Sequence, residues 1–363
     1  MDENVKPAGA EPLLSVRHLT VDFHLGRDRV RPVDDVSFDL ASDETIGIVG
    51  ESGSGKSVLV RSVMGVIGPS RTVRREGSVT FEGTKLTALR RRELRALWGQ
   101  RIGMILQDSM SALNPVRTVG AQLTETLRKH SPGLSRRDAR ARARDLLASV
   151  GLSEPDRRLD SHPFQLSGGM RQRVTIALAL CGDIRLLIAD EPTTALDVTV
   201  QHQVLNLLAA KRAEREMSLL LVTHDLGVIA GRTDRVIVMY AGEIVEISPT
   251  ARLFTACKMP YTAALLEALP TFAQQGRKRL RPIPGGAVNL QRVGAGCRFA
   301  PRCVAAHDQC FAARPPLVAD PADAGHLYRC WTPVGSPQYE QVRQRGPVAV
   351  TTIAPAVVPA GEQ

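Results

Sequence analysis

Residues Thr45 to Ser57 read TIGIVGESGSGKS, an apolar run broken by a glycine-rich turn that ends in Lys-Ser. The run TIGIV is short and continuous, which predicts a strand covered on both faces of a parallel sheet. Gly50 to Ser57 fits G-x-x-x-x-G-K-[ST], and the following SVLVRSVMG is compatible with a helix. Strand, curled loop and helix in that order form a phosphate cradle. Gly50, Gly53 and Gly55 let backbone N–H groups turn inward, and the new helix points its positive dipole end at the same spot. Glu51, Ser52 and Ser54 complete the loop, Lys56 is placed to reach the β- and γ-phosphates, and Ser57 to ligate Mg²⁺.

The rest of the chain supports an α/β core. LLSVRHLTVDF, VSFDL and SVTFEG alternate apolar and polar positions, as half-buried strands do. RLLIAD and SLLLVTHD are continuous apolar runs like TIGIV. Ala143, Leu146, Leu147 and Val150 share one helical face, as do Val200, Val204, Leu207 and Leu208. The expected organisation is a flexible tail over 1–12, a nucleotide-binding domain over 13–250 with a helical subdomain at about 108–166, a C-terminal domain over 251–335, and a disordered tail over 336–363.

Three further motifs carry chemistry. RLLIADE ends a strand in two acids: Asp190 could hold Mg²⁺ through water, and Glu191 could orient and deprotonate an attacking water. VTHD ends another strand in His224, which could touch a γ-phosphate if the two strands are neighbours. LSGGM, Leu166 to Met170, precedes the helix-like RQRVTIALAL and makes a second anion site. One nucleotide does not need two such sites, so the second would close over a nucleotide held by another subunit.

The order GESGSGKS, ILQD, LSGGM, LLIADEPTTALD, VTHD resembles the ATP-binding cassette ATPases over roughly Leu13 to Ser248. That resemblance implies a P-loop NTPase with an antiparallel β subdomain, a helical subdomain and ATP–Mg²⁺ sandwiched in a head-to-tail dimer. It implies that Gln107 senses Mg²⁺ and the attacking water, that Ser167, Gly168 and Gly169 bind the γ-phosphate in trans, and that Asp197 lies in the loop crossing the dimer interface. Phe23 is the candidate for adenine stacking. DSMSALNP, SHPFQLSGGMRQRVTIALAL and MPYTAALLEALP further resemble the ATPase subunits of dipeptide, oligopeptide and nickel importers. The implied partners are a second related ATPase subunit, two membrane permeases and an extracytoplasmic substrate-binding protein. In that assembly the chain would sit at the cytoplasmic face of the plasma membrane, with the stretch around Ser109 to Pro115 gripping a permease.

The formal charge of +10 also suits nucleic acid, but nucleic-acid cassettes usually carry two cassettes or a long coiled coil, and this chain has one cassette and no sustained heptads. No nucleic-acid partner is therefore expected. No run approaches the length and apolarity of a spanning helix, and the start lacks a signal-peptide pattern.

Four of the six cysteines, Cys297, Cys303, Cys310 and Cys330, lie late in the chain, separated by five, six and nineteen residues. Structural zinc sites usually contain a tight C-x₂₋₄-C pair, which is missing here. Four wider-spaced thiolates better suit an iron–sulfur cluster, although plain packed thiols and a mixed zinc site using His307 or His326 remain open. GCRFAPRC followed by PPLV and HLYRC resembles the C-terminal extension of the peptide-importer ATPases, some of which hold a [4Fe–4S] cluster. Arg298, Arg302 and Arg329, each beside a cysteine, are expected to offset its charge. Cys181 and Cys257 are expected to be packing residues.

Overall fold

A strand buried on both faces must be apolar along its interior, and this requirement selects the centre of the molecule. The computed structural model describes residues 11–26, 28–108, 112–194, 196–269, 283–286, 288, 290–291 and 293–345. Its strands are β1 (Leu14–Leu25), β2 (Asp28–Leu40), β3 (Thr45–Val49), β4 (Val73–Phe81), β5 (Thr84–Lys85), β6 (Ile102–Ile105), β7 (Leu186–Asp190), β8 (Ser218–Thr223), β9 (Arg235–Tyr240), β10 (Glu243–Pro249), β11 (Val318–Asp320) and β12 (Asp323–Tyr328). An eight-stranded sheet runs β11-β12-β10-β9-β3-β8-β7-β6, and a four-stranded antiparallel sheet runs β2-β1-β4-β5. Within the large sheet β9, β3, β8, β7 and β6 are parallel, and β10, β12 and β11 continue it antiparallel.

Every residue of β3, β7 and β8 is buried. Their side chains alternate between two cores, as the pleat requires. Ile46, Ile48, Ile188, Leu220, Val222, Ile237 and Met239 face the small sheet, where they meet Leu14, Val16, Val36 and Phe38. Leu187, Ala189, Leu219, Leu221, Val236 and Val238 face the helices. The two expected helical stripes fall on Arg136–Ser149, which buries Ala143 and Leu147, and on Val198–Arg215, which buries Val204 and Leu208.

The helices Val119–His130, Arg136–Ser149 and Pro155–Asp160 lie between β6 and the helix Gly168–Ala179. Thr118 and Ser135 cap the first two by accepting the N–H of Ala121 and Asp138. Ser109, which begins the expected permease contact, lies outside the described residues.

Two features differ from the sequence reading. The late segment is not a body beside the nucleotide domain: β12 pairs with β10, so residues 318–328 complete the main sheet. In addition, Pro337–Arg345 is helical, with Tyr339 buried and its N–H donated to Ser336 Oγ, where a tail was expected from residue 336. Of the tails expected over 1–12 and 336–363, residues 1–10 and 346–363 lie outside the described residues.

Gly55 sits at φ +100°, and a Cβ there would lie 1.9 Å from the Pro32 carbonyl oxygen, whereas Gly53 at φ +82° has open space around it. Gly55→Ala is expected to lower unfolding free energy by about 3 kcal/mol and Gly53→Ala by only about 1 kcal/mol. Urea titration of both variants checks this, and equal losses would remove the steric part of the argument.

Candidate nucleotide-binding site

The carboxyl ends of parallel strands gather loops at one edge of a sheet, which is where open α/β sheets bind ligands. Here β3 delivers the glycine-rich loop, β7 delivers Asp190 and Glu191, β8 delivers His224 and β6 delivers Gln107. The order β3-β8-β7-β6 makes these ends neighbours. The condition placed on His224 is thus met, since β7 and β8 pair directly.

The loop is shaped for close approach of a ligand to its backbone. Gly50 has φ +152°, and a Cβ on it would lie 2.1 Å from the Met239 carbonyl oxygen. The helix Lys56–Val63 starts from Gly55 in the left-handed region. Ser54 N–H donates to Glu51 O at 3.1 Å, and Gly242 N–H donates to Ser54 O at 2.9 Å. Lys56 Nζ is buried and donates to Gly50 O at 2.7 Å and Glu51 O at 3.0 Å. Burial pushes its pKa down, against the charges of Glu191, Asp190 and Glu51. A phosphate in this cradle would give the ammonium an anionic partner in place of two carbonyls, so the donor set fits a nucleotide.

Ser57 Oγ donates to Asp190 Oδ1 at 2.8 Å, and Arg61 Nη2 lies 3.5 Å from Asp190 Oδ2. Asp190 is fully buried, and burial pushes its pKa up, opposed by Ser57 and Arg61. Hydroxyl and carboxylate together are a hard oxygen pair of the kind Mg²⁺ takes. Glu191 follows at φ +48°, a left-handed turn that leads the chain out of the sheet. Its carboxylate accepts Gln107 Nε2 at 2.9 Å and Thr194 Oγ1 at 2.9 Å, and His224 Nδ1 lies 3.2 Å from Oε1.

The segment expected to form a second anion site stands apart. Ser167 Oγ accepts Met170 N–H and caps the helix Gly168–Ala179, while Ser167 and Gly168 are exposed. Asp197 caps Val198–Arg215 through Val200 N–H, and Gly169 abuts Val200, with 2.8 Å between its would-be Cβ and Cγ1. Among the described residues no hydrogen bond or ion pair joins Ser167, Gly168, Gly169 or Asp197 to the P-loop group. Phe23, on β1 opposite Val30 and Val73, is half-buried against the core under the small sheet.

Among the described residues no three His, Cys, Asp or Glu side chains come together as a metal-ligand group. The late cysteines are nevertheless mutual neighbours. Burial raises the pKa of Cys297, Cys303 and Cys330, and nearby cysteines add to each shift. The Cys297 N–H donates to Cys310 O at 2.7 Å, and the Ala300 N–H donates to Cys297 O at 3.0 Å. Of the two imidazoles, His326 Nε2 pairs with the buried Glu246 at 2.7 Å, and His307 Nε2 lies 3.0 Å from Thr332 Oγ1. His326, with both ring nitrogens engaged by Glu246 and Arg252, drops out of the mixed Cys/His zinc site.

The arginines beside the cysteines do not act as expected either. Arg298 pairs with Asp34 and Glu243, Arg302 with Glu51, and Arg329 donates to the carbonyls of Ile244 and Pro315. Carboxylates and carbonyls are strong acceptors of guanidinium N–H groups, and these arginines pair with them. Thr194, Arg61, Tyr261 and Arg302 were missed by the sequence reading. Thr194 lay inside a quoted motif, but the contact of Arg302 with the P-loop spans 251 residues and leaves no local signal.

A family model described as ABC transporter matches residues 33–194, and one described as oligopeptide/dipeptide transporter, C-terminal region, matches residues 245–310. The chain is 47% identical over 304 residues to a putative peptide import ATP-binding protein of Brucella abortus, covering 84% of this chain and 91% of that one. It is 45% identical over 306 residues to the dipeptide transport ATP-binding protein of Escherichia coli, covering 84% and 92%. A solved ATP-binding cassette, in a dimeric post-hydrolysis state bound to ADP and Pi, is 29% identical with a TM-score of 0.59, covering 65% of this chain and 98% of that one.

Burial pushes the Cys181 and Cys257 thiols up to about 12. Both then stay protonated in the folded chain at pH 8, and the stability this contributes is present below the unfolded thiol value and lost as pH rises toward 12. Alkylation at pH 8, read by mass spectrometry, is expected to be at least ~100-fold slower at both positions in the folded chain than in urea.

Proposed function

The chain belongs to the ABC transporter ATPases, and from that premise we propose that it is the ATP-hydrolysing subunit that energises import of dipeptides or oligopeptides. The observation that carries this reading is the convergence of Lys56, Ser57, Asp190, Gln107, Glu191 and His224 at one sheet edge, in a chain whose later part matches the oligopeptide/dipeptide C-terminal region.

In this reading Gly50 to Gly55 surround the phosphates of ATP with N–H groups and Lys56 moves from Gly50 O to the β- and γ-phosphates. Ser57 and Asp190 hold Mg²⁺, which supplies charge neutralisation at those phosphates. Gln107 and His224 orient Glu191, whose carboxylate takes a proton from the attacking water. The water oxygen bonds to the γ-phosphorus as the bond to the bridging oxygen breaks and ADP leaves. Ser167, Gly168 and Gly169 close on the nucleotide of a second subunit, with Asp197 at that interface. Their exposure and their separation from the P-loop of the same chain support an arrangement in trans. Phe23 is retained as the adenine contact.

The coupled assembly contains a second ATPase subunit, two permeases and an extracytoplasmic binding protein, with this chain peripheral at the cytoplasmic membrane face. No helix among the described residues is long and apolar enough to cross a membrane. Cys297, Cys303, Cys310 and Cys330 are assigned to a [4Fe–4S] cluster. What supports this reading is four cysteines that neighbour one another in the fold, thiolates being the ligands such clusters take.

Glu191→Gln is expected to keep ATP binding while hydrolysis falls by about 100-fold or more, and Lys56→Ala to lose binding itself. Steady-state phosphate release and fluorescent-nucleotide titration separate the two. Near wild-type turnover of Glu191→Gln would remove that residue from its role. For the cysteines, anaerobic purification is expected to yield about four iron and four sulfide per chain. Stoichiometric zinc, or no metal at all, would end the cluster assignment.

A further inference from the structure

Glu51, the second residue of the glycine-rich loop, is an acid in an anion cradle, and the structure shows what restrains it. Its N–H donates to Tyr261 Oη at 2.8 Å. Its carboxylate accepts both arms of Arg302, from Nη1 at 2.6 Å and from Nη2 at 2.9 Å. Arg302 comes from the segment GCRFAPRC, immediately before Cys303.

The guanidinium is itself fixed. Its side chain is 8% exposed, Nε donates to Pro284 O at 2.7 Å, and Nη1 also reaches Tyr240 Oη at 3.3 Å. Beneath it Tyr240, Tyr261 and Phe299 pack with ring centres 4.6, 5.2 and 5.3 Å apart. From the same segment Arg298 donates to Ala241 O, one residue before Gly242, whose N–H holds Ser54 O. Residues near the cysteines thus hold the phosphate loop at Glu51 and again near Ser54.

We propose that Arg302 is a positioning residue for nucleotide binding: by pairing with Glu51 it fixes the P-loop, so the cysteine segment sets the affinity of the site for ATP. A planar fork fixes the orientation of a carboxylate as well as its place, which a lysine ammonium does not. Without that fork, Glu51 would present an unpaired negative charge to a loop that must accept a triphosphate. The coupling is reciprocal by linkage, so bound nucleotide stabilises the cysteine segment in turn.

This inference rests on the nucleotide-site reading above, and one titration of the full chain with a fluorescent ATP analogue and Mg²⁺ separates the two. Absence of binding by the unaltered chain defeats that reading. Binding by the unaltered chain, with Arg302→Ala within twofold of it, overturns this one. The expected result is about a 10-fold weaker Kd for Arg302→Ala and a smaller loss for Arg302→Lys, with the defect in KM rather than kcat. Arg302→Ala combined with Glu51→Gln is expected to bind no more weakly than Arg302→Ala alone, because the charge to be neutralised is gone; additive losses overturn the proposal. Should Arg302→Ala fail to fold, Arg302→Lys and hydrogen exchange on the unaltered chain decide. Exchange in residues 296–312 is expected to slow when a non-hydrolysable ATP analogue is added, and unchanged exchange overturns the proposal.

Discussion

Full burial of β3, β7 and β8 on both faces is the constraint from which the rest of the molecule follows. A strand without a solvent face has no place for a polar side chain along its length, so polar residues collect where the strand ends. Asp190 occupies the last position of β7, and Glu191, His224 and Gly50 follow the ends of their strands at once. The parallel pairing of those strands then sets the reacting groups side by side. The left-handed turn at Glu191 and the curled loop at Gly50 are local costs of leaving such a sheet abruptly, and the close packing around them offsets those costs.

What could be read from the sequence follows the same division. TIGIV, RLLIAD and SLLLVTHD announce their burial because period and length coincide in a few residues, and the site residues follow in the text of the chain. β9 and β10 went unread as strands because Arg235–Tyr240 and Glu243–Pro249 are separated by a tight turn within one longer phrase. The helix Pro337–Arg345 was obscured by its proline-rich surroundings, and its anchor, Tyr339, is a single buried aromatic in a polar segment. A lone anchor carries no period.

The arginines are the more instructive failure. Proximity to cysteines in sequence suggested a shared electrostatic task, yet Arg298 and Arg302 face carboxylates on other elements, at separations of 264 and 251 residues. Sequence neighbours on an irregular segment need not share partners, and in GCRFAPRC both arginines pair with carboxylates from other elements. The same segment therefore carries thiols and also guanidinium groups that reach the nucleotide loop and the small sheet. Spacing alone describes the thiols and is silent on the guanidinium groups.

The pairing of β12 with β10 also bears on how the chain is made. Glu246 on β10 is fully buried against His326, eighty residues further along, and Ile247 lies opposite Leu327 in the ladder. On the ribosome the first 250 residues would emerge with one rim of their central sheet unpaired and an acidic side chain awaiting its imidazole. An unpaired rim of that kind invites the wrong strand, from a sister chain or from elsewhere in the same one. Completion of the sheet is thus deferred until the residues of β12 have been made, and a copy interrupted before then carries an adhesive edge.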